Sequence, residues 1–77
     1  MLKELLEYLA KSLVDSPEAV HVEVVETEST LVLELTVAKE DVGKVIGKQG
    51  RIARALRTIV KASAVRDGKR AIVEILD

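Results

Sequence analysis

The stretch DVGKVIGKQGRIARALR, residues Asp41 to Arg57, sets Gly47 and Gly50 three positions apart between two amphipathic segments rich in lysine and arginine. Glycine at such a join permits positive φ, lets a foreign backbone approach without meeting a Cβ, and leaves amide N–H groups accessible. The helix expected to begin near Arg51 adds its own unpaired N–H groups and the positive end of its dipole to the same space. An anion suits that junction. Nucleotide loops do not: Gly43, Gly47 and Gly50 do not fit G-x-G-x-x-G, and Gly47-Lys48 lacks the upstream glycine and following Ser/Thr of a Walker A loop.

The charge pattern points the same way. The net charge is −1, yet residues 1–38 carry two lysines against eight acidic residues. Residues 39–70 carry ten basic residues against Glu40, Asp41 and Asp67, a balance of +7 with the glycine pair near its centre. A nearly neutral chain thus presents one strongly positive region, the footprint of a polyanion partner.

Outward from the loop, the periodicity assigns the remaining elements. Leu2, Leu5, Leu6, Leu9 and Leu13 fall on one face of a helix that Asp15-Ser16-Pro17 ends. From Val20 the period changes to two: Val20, Val22 and Val24 alternate with His21, Glu23 and Val25, and Leu31, Leu33, Leu35 and Val37 with Val32, Glu34 and Thr36. A two-residue turn at Glu28-Ser29 pairs positions whose numbers sum to 57, setting Val22 opposite Leu35 and Val24 opposite Leu33, so that both aliphatic sets share a face. Ala38 to Ile46 reads as a short helix. Helical period resumes after the glycines with Ile52, Leu56, Ile59 and Val60 until Asp67-Gly68, and Lys69 to Leu76 closes as a third strand. The order is helix, strand, strand, helix, glycine loop, helix, strand. It predicts an α+β two-layer sandwich, one domain over residues 1–77, with the helices on one face of a three-stranded sheet.

Composition excludes several classes. The absence of cysteine removes disulfides, thiolate metal sites and a cysteine nucleophile, and the single His21 is a poor start for a metal centre, so no metal or other cofactor is expected. Acidic residues lie on outer faces without a partner base, so no enzyme is expected. No apolar run approaches the ~20 residues of a membrane span, and neither a signal peptide nor a membrane partner is expected. Tyr8 is the sole aromatic, which rules out a base-stacking platform of the RRM or OB type.

The residues VIGKQGR, Val45 to Arg51, set between two helices in this element order, resemble the GxxG signature of KH domains. The order of all 77 residues is similar to the prokaryotic type II KH fold, and Gly50 to Arg57 resembles the small stand-alone bacterial KH proteins of the KhpA type. The resemblance implies a cytoplasmic single-stranded RNA-binding protein that holds about four nucleotides and acts as a post-transcriptional regulator or RNA chaperone. It implies that Gly47, Lys48, Gln49 and Gly50 clamp the sugar-phosphate backbone, with Lys44, Ile46, Arg51 and Arg54 beside them. Val37, Val42, Val45, Ile52 and Leu56 would line or support the groove under the bases. It further implies a homodimer, or a heterodimer with another KH-containing protein. The alternative is a subunit that mainly docks a partner within an RNA-protein assembly, and its motive is the aliphatic set Val25, Val32, Ile72 and Leu76 on the outer sheet face.

Overall fold

A computed structural model describes residues 1–76 and shows helix α1 (Leu2–Leu13), strands β1 (His21–Glu26) and β2 (Thr30–Thr36), helices α2 (Val42–Ile46) and α3 (Arg51–Arg66), and strand β3 (Arg70–Leu76). Single 3₁₀ turns at Pro17–Ala19, Lys39–Asp41 and Lys48–Gly50 join them. The expected helix from Ala38 is therefore divided, with Ala38 extended and only Val42–Ile46 fully helical. The fold is α+β, three helices over a three-stranded mixed sheet, in the element order that the resemblance to the type II KH fold implies.

Strand β2 is central. It pairs antiparallel with β1, setting Val22 opposite Leu35 and Val24 opposite Leu33, and parallel with β3, setting Leu33 beside Val73. The hairpin turn is the two-residue Glu28-Ser29 turn, although neither residue favours one. Thr27 resolves this: its N–H donates to the Thr30 carbonyl at 2.8 Å, and its hydroxyl oxygen accepts the Thr30 N–H at 3.2 Å. The register then puts Val22, Leu33, Leu35, Ala71 and Val73 on the covered face, where all are buried. The open face carries rows that cross all three strands: Val25–Val32–Ile72, and next to it Glu23–Glu34–Glu74.

Helix α1 buries Leu2, Leu6 and Ala10, an i, i+4, i+8 line, while Leu5 and Leu9 are half-buried and Leu13 is exposed. Helix α3 contributes Ala53, Leu56, Val60 and Ala64. Small side chains at Ala10, Ala53, Ala64 and Ala71 thus complete an aliphatic core whose largest enclosed members are Leu6, Leu33, Leu35, Val45 and Val60. Each of those large side chains contributes about 1.5–3 kcal/mol by leaving water. Arg57, on the outer side of α3, reaches the sheet edge, where its Nε donates to the Val73 carbonyl at 3.3 Å. One edge carbonyl that a stray strand could otherwise pair with is thereby occupied.

Among the described residues, the one charged residue in the core is Asp41, 1% exposed, at the start of α2. Its Oδ2 accepts the Ser16 N–H at 3.0 Å and its Oδ1 lies 3.5 Å from Lys44 Nζ, which ties the α1–β1 connection to α2. Burial pushes the Asp41 carboxyl up, but hydrogen bonds from the Ser16 and Asp15 amides and from Lys44 outweigh it, and the pKa falls below its ordinary 3.8.

The α2–α3 join is fixed by a close approach. Gly47 has φ 77° and ψ 172°, and a Cβ built there would sit 2.5 Å from Ile52 Cγ1. Ile52 lies across the bare α-carbon and packs on the core.

Two outcomes are expected. A carboxyl whose pKa is depressed by folding stabilises the fold at pH values above its unfolded pKa, and that contribution is lost as pH falls through the folded pKa. Urea midpoints should therefore fall below about pH 4, and Asp41→Asn should be less stable at pH 7 and show a shallower acid decline. Gly47→Ala combines a glycine-only backbone region with the Ile52 clash and should cost about 2–3 kcal/mol, a drop of roughly 10 °C or more in melting temperature.

Candidate nucleic-acid interface

Helix α2 closes with the Gly47 N–H donating to the Gly43 carbonyl at 2.9 Å. The chain then makes one 3₁₀ turn in which Gln49 (φ 58°, ψ 25°) and Gly50 (φ 73°, ψ 16°) are both left-handed. Gln49 is the only residue other than glycine with positive φ among the described residues. The Gly47 carbonyl accepts the Gly50 N–H at 3.1 Å, and the Lys48 carbonyl accepts the Arg51 N–H. These bonds turn two carbonyls inward. As the first N–H groups of the turn, those of Lys48 and Gln49 have no acceptor within it. No atom lies within 4 Å of where a Cβ on Gly50 would point, so the approach to the turn is open on that side.

Cations surround the turn. Lys48, Arg51 and Arg54 are exposed. Arg51 Nη2 donates to the Gln49 side-chain oxygen at 3.3 Å, and Arg54 Nη2 donates to the Gln49 carbonyl at 3.2 Å. Lys44 is differently placed. Its Nζ lies 3.2 Å from Asp15 Oδ2 and 3.5 Å from Asp41 Oδ1, and the hydrogen bond to Asp15 is the main cause of its raised pKa. Its charge is shared with two carboxylates.

Beside the turn, between α2 and the end of β2, lies an open concavity of about 800 Å³ lined by Thr36, Val37, Lys39, Val42 and Ile46. Its walls are largely apolar, with Lys39 at the rim. Of the other groove candidates, Val45 is fully enclosed and Leu56 is 4% exposed, so both act from beneath, while Ile52 sits under Gly47. Lys39 carries no sequence sign of a place in the wall; it lies just past the end of strand pairing, and the position of α2 brings it there beside Thr36 and Val37. Asp41 also escaped notice, because an aspartate next to Glu40 carries no local sign of burial.

Two further depressions differ in character. One of about 290 Å³ lies at the hairpin end among Glu26, Thr27, Glu28, Ser29 and Lys69, and its carboxylates disfavour a polyanion. The other, about 380 Å³ between α1 and α3, is lined by Leu9, Leu13, Ile52, Ala55 and Leu56, with Ser12 and Arg51 at its margin.

Comparison with known proteins agrees with this geometry. The chain is 60% identical to the RNA-binding protein KhpA of Clostridium perfringens over 75 residues, covering 97% of this chain and all of that protein. It is 54% identical to the RNA-binding protein KhpA of Aquifex aeolicus, covering 99% of this chain and 96% of that one. Among solved structures, Aquifex aeolicus Era bound to GDP and AlF4− superposes with a TM-score of 0.70 at 19% identity, covering 96% of this chain. The chain spans 29% of that Era structure, and the likeness is one of fold. The profile of the KH domain of KhpA and KhpB matches residues 3–75, and with the identities above it places this chain in the KhpA/KhpB family of KH domains.

Proposed function

We propose that this protein binds single-stranded RNA in the cytoplasm, holding about four nucleotides, and serves as a post-transcriptional regulator or RNA chaperone. One observation carries the reading: an exposed turn, whose first N–H groups at Lys48 and Gln49 have no acceptor within it, stands beside an aliphatic groove. In this reading a phosphate takes those N–H groups, between Gly47 and Gly50, with Lys48 and Arg51 supplying charge. Bases lie over Val37, Val42 and Ile46, and Val45, Ile52 and Leu56 hold that wall from behind. Lys44 and Arg54 contribute to the positive field around the strand. RNA binding as such is supported by the names of the relatives, and the family is one of binding modules rather than enzymes.

A second reading rests on aliphatic side chains left at the surface. The Val25–Val32–Ile72 row and Leu76 on the open sheet face, with Ile59 and Val65 on α3, favour association with a second KH chain, identical or different. Such pairing would join two short RNA sites and raise affinity through effective concentration.

Replacing both Lys48 and Gln49 with Asp should weaken binding to short RNA more than about tenfold, by setting carboxylates against phosphate at two positions. The circular dichroism spectrum and melting temperature should barely change; undiminished affinity would remove the clamp. Sedimentation from micromolar to millimolar protein should show the mass rising toward that of two chains, or doing so when a second KH protein is added. A chain that stays single in both settings while binding RNA tightly refutes the pairing.

A further inference from the structure

Arg54 lies one helical turn after Arg51, and charge alone would assign it to phosphate. The geometry gives it a different task. Its guanidinium Nη2 donates to the Gln49 carbonyl at 3.2 Å, across the mouth of the 3₁₀ turn. The same peptide unit is bonded at its other end, where the Gly50 N–H donates to the Gly47 carbonyl at 3.1 Å. The plane joining Gln49 and Gly50 is thus held on both sides. Its orientation is costly, because Gln49 occupies the left-handed region that side chains other than Asn and Asp seldom adopt. Gly50 follows with a positive φ of its own, so local preference does little to hold the turn. A bond to the Gln49 carbonyl offsets that cost and holds ψ of Gln49, which steadies the turn that begins with the Lys48 and Gln49 N–H groups. The Arg51 contact cannot substitute, since it reaches the Gln49 side chain and leaves the backbone free.

We infer that Arg54 is a positioning residue: it presets the left-handed backbone of the turn, so that the Lys48 and Gln49 N–H groups converge on one point before RNA arrives. This rests on the clamp reading above. A guanidinium suits the task because its planar fork offers several donors at fixed angles, whereas a lysine ammonium is a flexible point charge.

Arg54→Lys separates the two roles, since it keeps the charge and removes the fork. The variant should bind a short single-stranded RNA about fivefold more weakly, the scale of one lost hydrogen bond. The dependence of log Kd on log salt should keep its slope. Amide exchange at Gly50, whose N–H bond closes the turn, should quicken while the melting temperature holds. Arg54→Gln should lose a similar factor. If Arg54 instead meets a phosphate directly, Arg54→Lys keeps near-normal affinity, Gly50 exchange is unchanged, and Arg54→Gln lowers the salt slope by the full ~0.7 of one phosphate contact, more than a charge in the surrounding field would. Any of those three results overturns the inference. Failure of the clamp itself is read separately, as undiminished binding by the variant with Asp at both 48 and 49.

Discussion

Ile52 occupies the space that a side chain on residue 47 would need, and the rest of the interface follows from that contact. Because the α-carbon of residue 47 is bare, α3 can start immediately beneath the end of α2, and a connection of one turn suffices. A longer connection would satisfy its own amides internally. The short one spends its carbonyls on Gly50 and Arg51, and it begins with two N–H groups that find no acceptor within it. Ile52 also packs on the hydrophobic core, so the turn inherits the rigidity of the core although most of its own atoms are exposed.

A protein of net charge −1 is not an obvious receptor for a polyanion. In the proposed clamp the attraction is local and partly uncharged. It would come from the first N–H groups of the turn and from the exposed Lys48 and Arg51, with the groove supplying apolar surface. Several cations of the positive segment are occupied elsewhere. Lys44 serves Asp15 and Asp41, Lys69 lies 3.6 Å from Glu26, and Arg57 caps Val73. The count of basic residues thus overstates how many are free to attract a ligand, and their positions matter more than their sum.

Much of the architecture was legible in the sequence because it depends on period. Alternation of aliphatic residues in two strands leaves one in-register solution when the turn has two residues, and the pairing of Val22 with Leu35 follows. The Gly47–Gly50 spacing likewise marks its own loop. What stayed hidden depends on contacts distant in sequence. Asp41 meets Ser16 across 25 residues, so its burial leaves no periodic trace. Arg57 lies opposite the apolar stripe of α3 and reads as a solvated side chain, but its length lets it fold back to the strand edge. The leucine pattern of the first helix suggested Leu13 as a core member and passed over Ala10; the axis of α1 reverses that, exposing Leu13 and burying Ala10. An alanine carries too little hydrophobic signal to reveal which side of a helix faces inward.

The transverse row Glu23–Glu34–Glu74 gives the molecule two faces that answer to ionic strength in opposite senses. Like charges directly across neighbouring strands repel, and dissolved ions quiet that repulsion, tightening the sheet. The same ions blunt the pull between the cationic turn and a polyanion. Dilute conditions therefore favour capture while loosening the scaffold that performs it, and concentrated conditions do the reverse. In the proposed reading the acidic face turns away a drifting strand of nucleic acid and leaves the side bearing the glycine turn as the direction of encounter.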